Sequence, residues 1–362
     1  MPESVETGSY PVQLADIEGQ LSRLWGQSVR SGGSSSARTV VLTLVALCRD
    51  SASASAVSKS VAAVAADHPS RAIIVTSQPG EPDISASVSV SCQLLGHLDR
   101  RLCSEQIHIE ARGMDFERIG SFVQPLVLPD VPLVLWLAGS GAPADPAFDR
   151  LAQVCDRVLL DMRTAREAAA VFDWVLGESQ PGGPAVVDLA WVALAPHRLA
   201  FAQLFDPEPS RAFVPRIDSV TIRSNRPGDG ARVSAEALLI GGWIVNRLGW
   251  GGFSFAREDS AGVHLTALGG RQLHLLFDAA SPLSGVALGA GAEASFEANF
   301  DEERQEALLT SRVGAQTSET AARLTLHTAD QVLCGALEFS EIDPLYARAL
   351  ASASAILAQI QT

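Results

Sequence analysis

Residues 39–76 read TVVLTLVALCRDSASASAVSKSVAAVAADHPSRAIIVT, and this stretch decides the fold class. The run 39–48 is apolar almost without interruption and rich in β-branched and aliphatic residues, the pattern of a strand buried on both faces. Val57, Val61, Val64 and Ala65 then recur at three- and four-residue steps, which makes the next segment a small-residue helix. His68-Pro69-Ser70-Arg71 breaks it, since a residue before proline is pushed out of the helical region, and 72–76 resumes as a strand. Strand, helix and strand in that order form a β-α-β unit with parallel strands.

On the N-terminal side, residues 11–27 carry the helical stripe Leu14, Ile17, Leu21, Leu24 and Trp25, and 31–36 is a Ser/Gly linker. On the other side, Ile84, Ala86, Val88, Val90, Cys92 and Leu94 alternate with Ser85, Ser87, Ser89, Ser91 and Gln93, a strand with one greasy and one polar face. A strand over 103–111 turns Ile107 and Ile109 inward. Helices over 114–125, 146–154, 164–176 and 187–205, with strands at 133–137 and 157–161, complete the first region. Pro207, Pro209 and Pro215 mark a boundary. Beyond it stand a helix over 233–248 and short strands near 252–257, 263–268, 272–278, 285–300, 307–313, 321–328 and 332–338. A last helix opens at Asp343-Pro344 with the stripe Leu345, Ala349, Ile356 and Ile360. The expected architecture is an α/β N-terminal domain with a largely parallel sheet, followed by an α+β C-terminal domain with an antiparallel sheet. The divisions are 1–36 (helix and linker), 37–210 and 211–362.

The chain has 362 residues, 47% hydrophobic and 19% charged, a globular composition. A net charge of −14 is a poor match to nucleic acid, whose binding runs on clustered Lys and Arg. Lys59 is the sole lysine and has no glycine-rich loop before it, which excludes a P-loop. The apolar stretches fall short of the roughly 20 residues of a membrane span, and Met-Pro-Glu-Ser does not begin like a secretory signal. Five cysteines, an odd and scattered number, fit a reducing cytoplasm.

Chemical motifs are sparse. Gly289-Ala290-Gly291 lacks the third glycine of a dinucleotide fingerprint and reads as a turn, and neither H-E-x-x-H nor G-x-S-x-G occurs. Cys92, His97, Cys103 and His108 have the look of a metal set, but strand parity places Cys92 and His108 on opposite faces. With Gly269-Gly270-Arg271 as a three-residue hairpin loop, His264 and His274 fall diagonally on one face of a ribbon, and a third ligand such as His327 would make an open metal site; solvent-facing histidines on an antiparallel sheet are the commoner case. The expectation is no catalytic residue, no cofactor and no metal. Cys92 and Cys103 share the apolar face of a hairpin and are either inert buried thiols or a redox pair. Gly241-Gly242 inside a helix implies close packing on a sheet.

Five segments resemble the glucose-6-phosphate dehydrogenase assembly protein (OpcA) family. They are the helix from Asp16 to Trp25 leading to Arg38–Leu44, then His68-Pro69-Ser70-Arg71-Ala72-Ile73, then Val127-Leu128-Pro129-Asp130-Val131-Pro132 through Trp136, then Asp188-Leu189-Ala190-Trp191, and residues 238–250 (LLIGGWIVNRLGW). The resemblance implies a non-enzymatic factor that assembles and activates glucose-6-phosphate dehydrogenase in the oxidative pentose phosphate pathway, with NADP held by that partner. Departures are Ala193 and His197-Arg198, with Pro196 inside the helix, where the family often carries other basic and aromatic residues. Partner-contact candidates are His68 and Arg71, on a loop stiffened by Pro69, and Arg198; the other reading of His68 and Arg71 is that they end a helix and begin a strand. Trp136, Trp191 and Trp243 read as core. An α/β enzyme whose site is dispersed in sequence is the alternative of a different class.

Overall fold

The computed structural model describes residues 4–6, 9–32, 36–37, 40–94, 101–114, 116–139, 146–165, 168–178, 182–228, 231–278, 281–339, 341 and 343–361. Among them no helix is long and apolar enough to cross a membrane. The chain forms two compact units. The first comprises Met1–Ala165, Glu178–Leu189 and Thr328–Glu341, and the second Arg166–Gly177, Ala190–His327 and Ile342–Thr362. A single boundary at 210/211 therefore does not describe these units, because residues 190–210 cluster with the second and 328–341 return to the first.

The β-α-β stretch forms as its pattern demands. Strand Leu42–Cys48 is buried along its whole length and pairs in parallel with Ser70–Gln78 on one side and Leu133–Ala138 on the other. Helix Ser51–Ala63 starts at a capping box in which Ser53 N–H donates to Asp50 Oδ1 (2.8 Å) and Asp50 N–H to Ser53 Oγ (3.2 Å). Its stripe of Ala54, Val57 and Val61 faces the sheet. In spatial order the first sheet runs Ser4–Glu6, Asp83–Leu94, Arg101–Arg112, Ser70–Gln78, Leu42–Cys48, Leu133–Ala138, Arg157–Leu160 and Ala185–Asp188. Only the pairings made by Asp83–Leu94 are antiparallel. Ala86, Val88 and Val90 are buried as the alternation predicts, but Ser89 and Ser91 on the other face are buried too. Ala185–Asp188 is a buried edge strand where the sequence reading placed the start of a helix; its four residues are too few to show a period.

The second sheet runs Ser254–Asp259, Gly262–Ala267, Arg271–Phe277, Ser219–Ser224, Gly285–Ala290, Ala294–Asp301, Glu306–Val313 and Gln316–Arg323. Every pairing is antiparallel except that of Ser219–Ser224 with Arg271–Phe277. The largely parallel first sheet and mostly antiparallel second sheet match the expected fold class. Ser219–Ser224, central to this sheet, was not expected; it directly follows the proline-rich segment that reads as a boundary. Residues 285–300 are two strands joined by a turn at Gly291, φ +54°. Residues 332–338, expected as a strand, lie in helix Ala329–Glu338. The Thr328/Gln331 capping box starts that helix, a local signal that outweighs the β-like composition of VLC.

Helices Ala235–Arg247 and Pro344–Gln361 pack against each other in the second unit, and the first also lies on Ser219–Ser224. The two glycines divide the work. A Cβ on Gly241 would meet Leu275 at 3.7 Å, ordinary contact with the sheet. One on Gly242 would strike the Ala349 carbonyl oxygen and lie 2.8 Å from Ala353 N. The close approach is thus helix on helix at Gly242, not helix on sheet. In the last helix Ala349, Ile356 and Ile360 are buried as expected, but the stripe begins at buried Tyr346 and Leu345 is exposed. Gly242→Ala should destabilise the protein by about 1–3 kcal/mol through overpacking, whereas Gly241→Ala should be neutral or stabilising by up to about 1 kcal/mol from helix propensity. Chemical denaturation of the two variants checks this, and equal effects would refute it.

Candidate functional site

The first unit is organised around a buried cation. Arg71 lies on strand Ser70–Gln78, not in a loop, and is 1% exposed, so the expectation of a surface contact is corrected. Its register partner across the parallel pair is Glu105, 0% exposed. Arg71 Nε donates to Glu105 Oε2 at 2.8 Å. Nη1 donates to Glu18 Oε1 at 2.5 Å and to the Leu126 carbonyl at 3.1 Å, and Nη2 to Glu18 Oε2 at 3.2 Å. Trp25 Nε1 donates to the other Glu105 oxygen at 2.5 Å. Burial acts to lower the guanidinium pKa, but hydrogen bonds and charges from Glu18 and Glu105 outweigh it and hold the pKa above its ordinary value. Glu105 was legible in one respect: it shares strand parity with Ile107 and Ile109, so a carboxylate on the apolar face required a cation.

The segment held by Leu126 borders an open, mainly apolar groove of about 540 Å³. Val127, Leu128 and Pro129 line it together with Val123, Leu133, Leu151 and Val154, while Glu117, Ser121 and Gln124 supply polar groups. Leu128 N–H donates to Thr43 Oγ1 at 3.2 Å, and Asp130 turns the chain at φ +65°. Val154 is 69% exposed, a large apolar side chain left to solvent.

The other expected residues disperse. His68 sits in the turn between Ser51–Ala63 and Ser70–Gln78, half-buried, with its Nε2 shielded from water and without a hydrogen-bond partner. Cys92 and Cys103 are register partners, but their side chains lie outside the described residues, as does all of His97. His108 is half-buried 3.3 Å from Gln106, and burial lowers its pKa. In the second unit Arg198 donates to the Trp191 carbonyl at 2.7 Å and stacks 3.5 Å over the Trp191 ring. Trp191 in turn donates to Asp343 at 2.8 Å. Trp136 and Trp191 are buried and Trp243 is half-buried.

His264 and His274 face each other directly, not diagonally, with Nδ1 to Nδ1 at 2.8 Å. His264 Nε2 lies 3.3 Å from Asp259 Oδ2, and exposed His327 is not part of any metal-competent group among the described residues. Burial first, then the charges of His264 and Arg257, lower the His274 pKa. Burial, with smaller contributions from neighbouring carboxylates, pushes the thiols of Cys48 and Cys155 up to about 12, so neither is a thiolate near neutral pH.

Comparison with known proteins adds the following. Family models described as glucose-6-phosphate dehydrogenase subunit N-terminal domain and C-terminal domain match residues 61–174 and 184–350. A Nostoc punctiforme protein provisionally named OxPP cycle protein OpcA is 30% identical over 217 residues, covering 58% of this chain and 45% of that protein. A Synechococcus elongatus protein of the same name is 28% identical over 201 residues, covering 54% and 43%. The matched region thus spans less than half the length of these relatives. A crystal structure of glucose-6-phosphate 1-dehydrogenase from Mycobacterium avium aligns at TM-score 0.47 and 11% identity over 89% of this chain and 92% of that one, a likeness too remote to bear on the argument.

Two outcomes follow from the side-chain geometry. Arg71→Ala should lower stability by about 3–5 kcal/mol, because it leaves the Glu105 charge buried and unpaired; a melting temperature within experimental error of wild type would refute the network. The second concerns pH. His108 and His274 have folded pKa values below their unfolded value of 6.5. The unfolded state therefore takes up protons first, and the stability present above 6.5 is lost as pH falls through the lowered values. Melting temperature should drop between about pH 7.5 and pH 5.5, and the slope should flatten in a His108→Gln, His274→Gln double variant. An unchanged slope in that variant would overturn the assignment.

Proposed function

The chain belongs to the OpcA glucose-6-phosphate dehydrogenase assembly family, and we propose that it is a non-enzymatic cytoplasmic factor for assembly and activation of glucose-6-phosphate dehydrogenase. The observation that carries this reading is the match of both family models, in chain order, to residues 61–174 and 184–350. The curated relatives carry the name OxPP cycle protein OpcA, which supports a role in the oxidative pentose phosphate cycle. In this reading the dehydrogenase holds the NADP.

The surface we assign to the partner is the groove along Val127, Leu128 and Pro129. Its apolar floor with polar groups beside it has the anatomy of an interface centre and rim. The segment 127–129 also belongs to the stretch that resembles the family. Arg71 serves this surface from beneath: its bond to the Leu126 carbonyl holds the chain one residue before the lining segment. It is a positioning residue, and its loss should weaken binding and stability together. Arg198, stacked on Trp191, stabilises its own helical segment.

Mixing the purified chain with the dehydrogenase of its own organism, at micromolar concentration, should produce co-elution and a rise in dehydrogenase activity or oligomeric state. The chain alone should show no dehydrogenase activity. Val154→Asp should weaken the complex by more than about 1 kcal/mol with the melting temperature nearly unchanged. Neither co-elution nor a kinetic effect with wild type would defeat the functional reading. Co-elution that Val154→Asp leaves intact would defeat only the groove assignment.

A further inference from the structure

His68, Cys334 and Glu338 meet in the first unit, though 265 residues separate the first two. A ring nitrogen, Cys334 Sγ and a Glu338 carboxylate oxygen all lie within 4.8 Å of one another. Among the described residues this is the one group of three or more histidine, cysteine or acidic side chains so arranged. We propose that it is a metal site that takes a divalent zinc-class ion.

The geometry follows from the local folds. Cys334 and Glu338 stand four apart on helix Ala329–Glu338, hence one above the other on one face. That helix packs on Ser51–Ala63, whose C-terminal turn carries His68. The His68 backbone is fixed by its N–H donating to the Val64 carbonyl at 2.8 Å, and buried Pro69 stiffens the chain after it. The imidazole Nε2 is shielded from water yet has no hydrogen-bond partner. A buried ring nitrogen left in this state is destabilising, and a metal bond would satisfy it.

The donor set selects the ion. One thiolate, one imidazole and one carboxylate suit zinc, while oxygen-seeking calcium and magnesium would reject the sulfur. Tetrahedral bonds of about 2.0–2.3 Å put ligand atoms about 3.3–3.8 Å apart, so the group closes by rotating the Glu338 and Cys334 side chains. On binding, the thiol gives up its proton to solvent as the Zn–S bond forms. The fourth position falls to water or to Asp67, the exposed neighbour of His68 whose charge already acts on Cys334. Such a site would fasten the helix at 329–338 to the turn that opens strand Ser70–Gln78, the strand that carries Arg71. The site stands whether or not the chain binds a dehydrogenase.

The full chain, stripped with EDTA and titrated with zinc against a chromophoric chelator, should bind a single tight equivalent and melt at a higher temperature when loaded. Cobalt should give a thiolate charge-transfer band and the visible bands of tetrahedral coordination. Cys334→Ser and His68→Asn should each reduce zinc affinity by more than the about 10–100-fold typical of changes behind the ligands, and Cys334→Ser should abolish the cobalt charge-transfer band. Cys103→Ser and His274→Gln should leave both readouts unchanged. The proposal is overturned if wild type binds no stoichiometric zinc, if Cys334→Ser retains the cobalt band, or if either control variant abolishes binding. Should His68→Asn fail to fold, the wild-type cobalt spectrum and Cys334→Ser decide the matter.

Discussion

The contact on which the first unit depends is the ion pair between Arg71 and Glu105, with neither side chain exposed to any useful degree. Two buried charges cost several kcal/mol each in lost hydration, and their attraction compensates only when every remaining lone pair and proton is used. Here one Glu105 oxygen receives Arg71 and the other receives Trp25, while three further guanidinium N–H groups serve Glu18 and the Leu126 carbonyl. The pair also sets register. Arg71 and Glu105 stand opposite each other in adjacent parallel strands, and a slip of one strand by one residue would turn one of the two charges to the opposite face and part the pair. Apolar neighbours such as Ile73 and Ile107 would tolerate several alignments; a buried ion pair tolerates one.

This explains what was legible in the sequence. The alternation from 84 to 91, the buried run at 42–48 and the helical stripe ending at Trp25 all stood out because hydrophobic periodicity reports burial directly. Elements with little periodicity failed to stand out. Ala185–Asp188 has four residues, and Ser219–Ser224 hides behind a proline-rich segment. The β-like composition of Val332-Leu333-Cys334 hides the helix at 329–338, and only its capping box gives it away. Boundaries erred in the same way: starting the strand at 72 instead of at Ser70 left Arg71 in a loop and made it look like a surface residue.

The candidate site was harder to see, since it is made of pairings between segments far apart in sequence. Glu18, Arg71, Glu105 and Leu126 come from an opening helix, two strands and the turn before the groove, and no spacing rule joins them. Parity alone marked Glu105 as out of place among Ile107 and Ile109. Cys334 and Glu338 form an ordinary helical pair until His68 is brought beside them. His68-Pro69-Ser70-Arg71 resembles the family's loop at this place, yet its arginine points into the protein and bonds the Leu126 carbonyl beside the groove.

The return of residues 328–341 to the first unit poses a last question of energetics, since a long excursion through the second unit must close a large loop. Closure entropy grows only logarithmically, about 0.6 kcal/mol per doubling of length, so the distance in sequence is a small obstacle. Burial of Val332, Leu333, Ala336 and Leu337 overcomes it, because each large apolar side chain contributes roughly 1.5–3 kcal/mol. An apolar stripe alone would allow the helix to slide or roll on its support. Arg157, from a sheet strand, donates to the Leu337 carbonyl, one of the acceptors a helix C-terminus leaves unused, and so fixes the helix along its axis. A metal held by Cys334 and Glu338 would add the missing restraint on rotation, since both ligands project from one face toward a histidine whose backbone is already fixed. Hydrophobic burial thus supplies the affinity of this helix for helix Ser51–Ala63, and directional bonds supply its orientation.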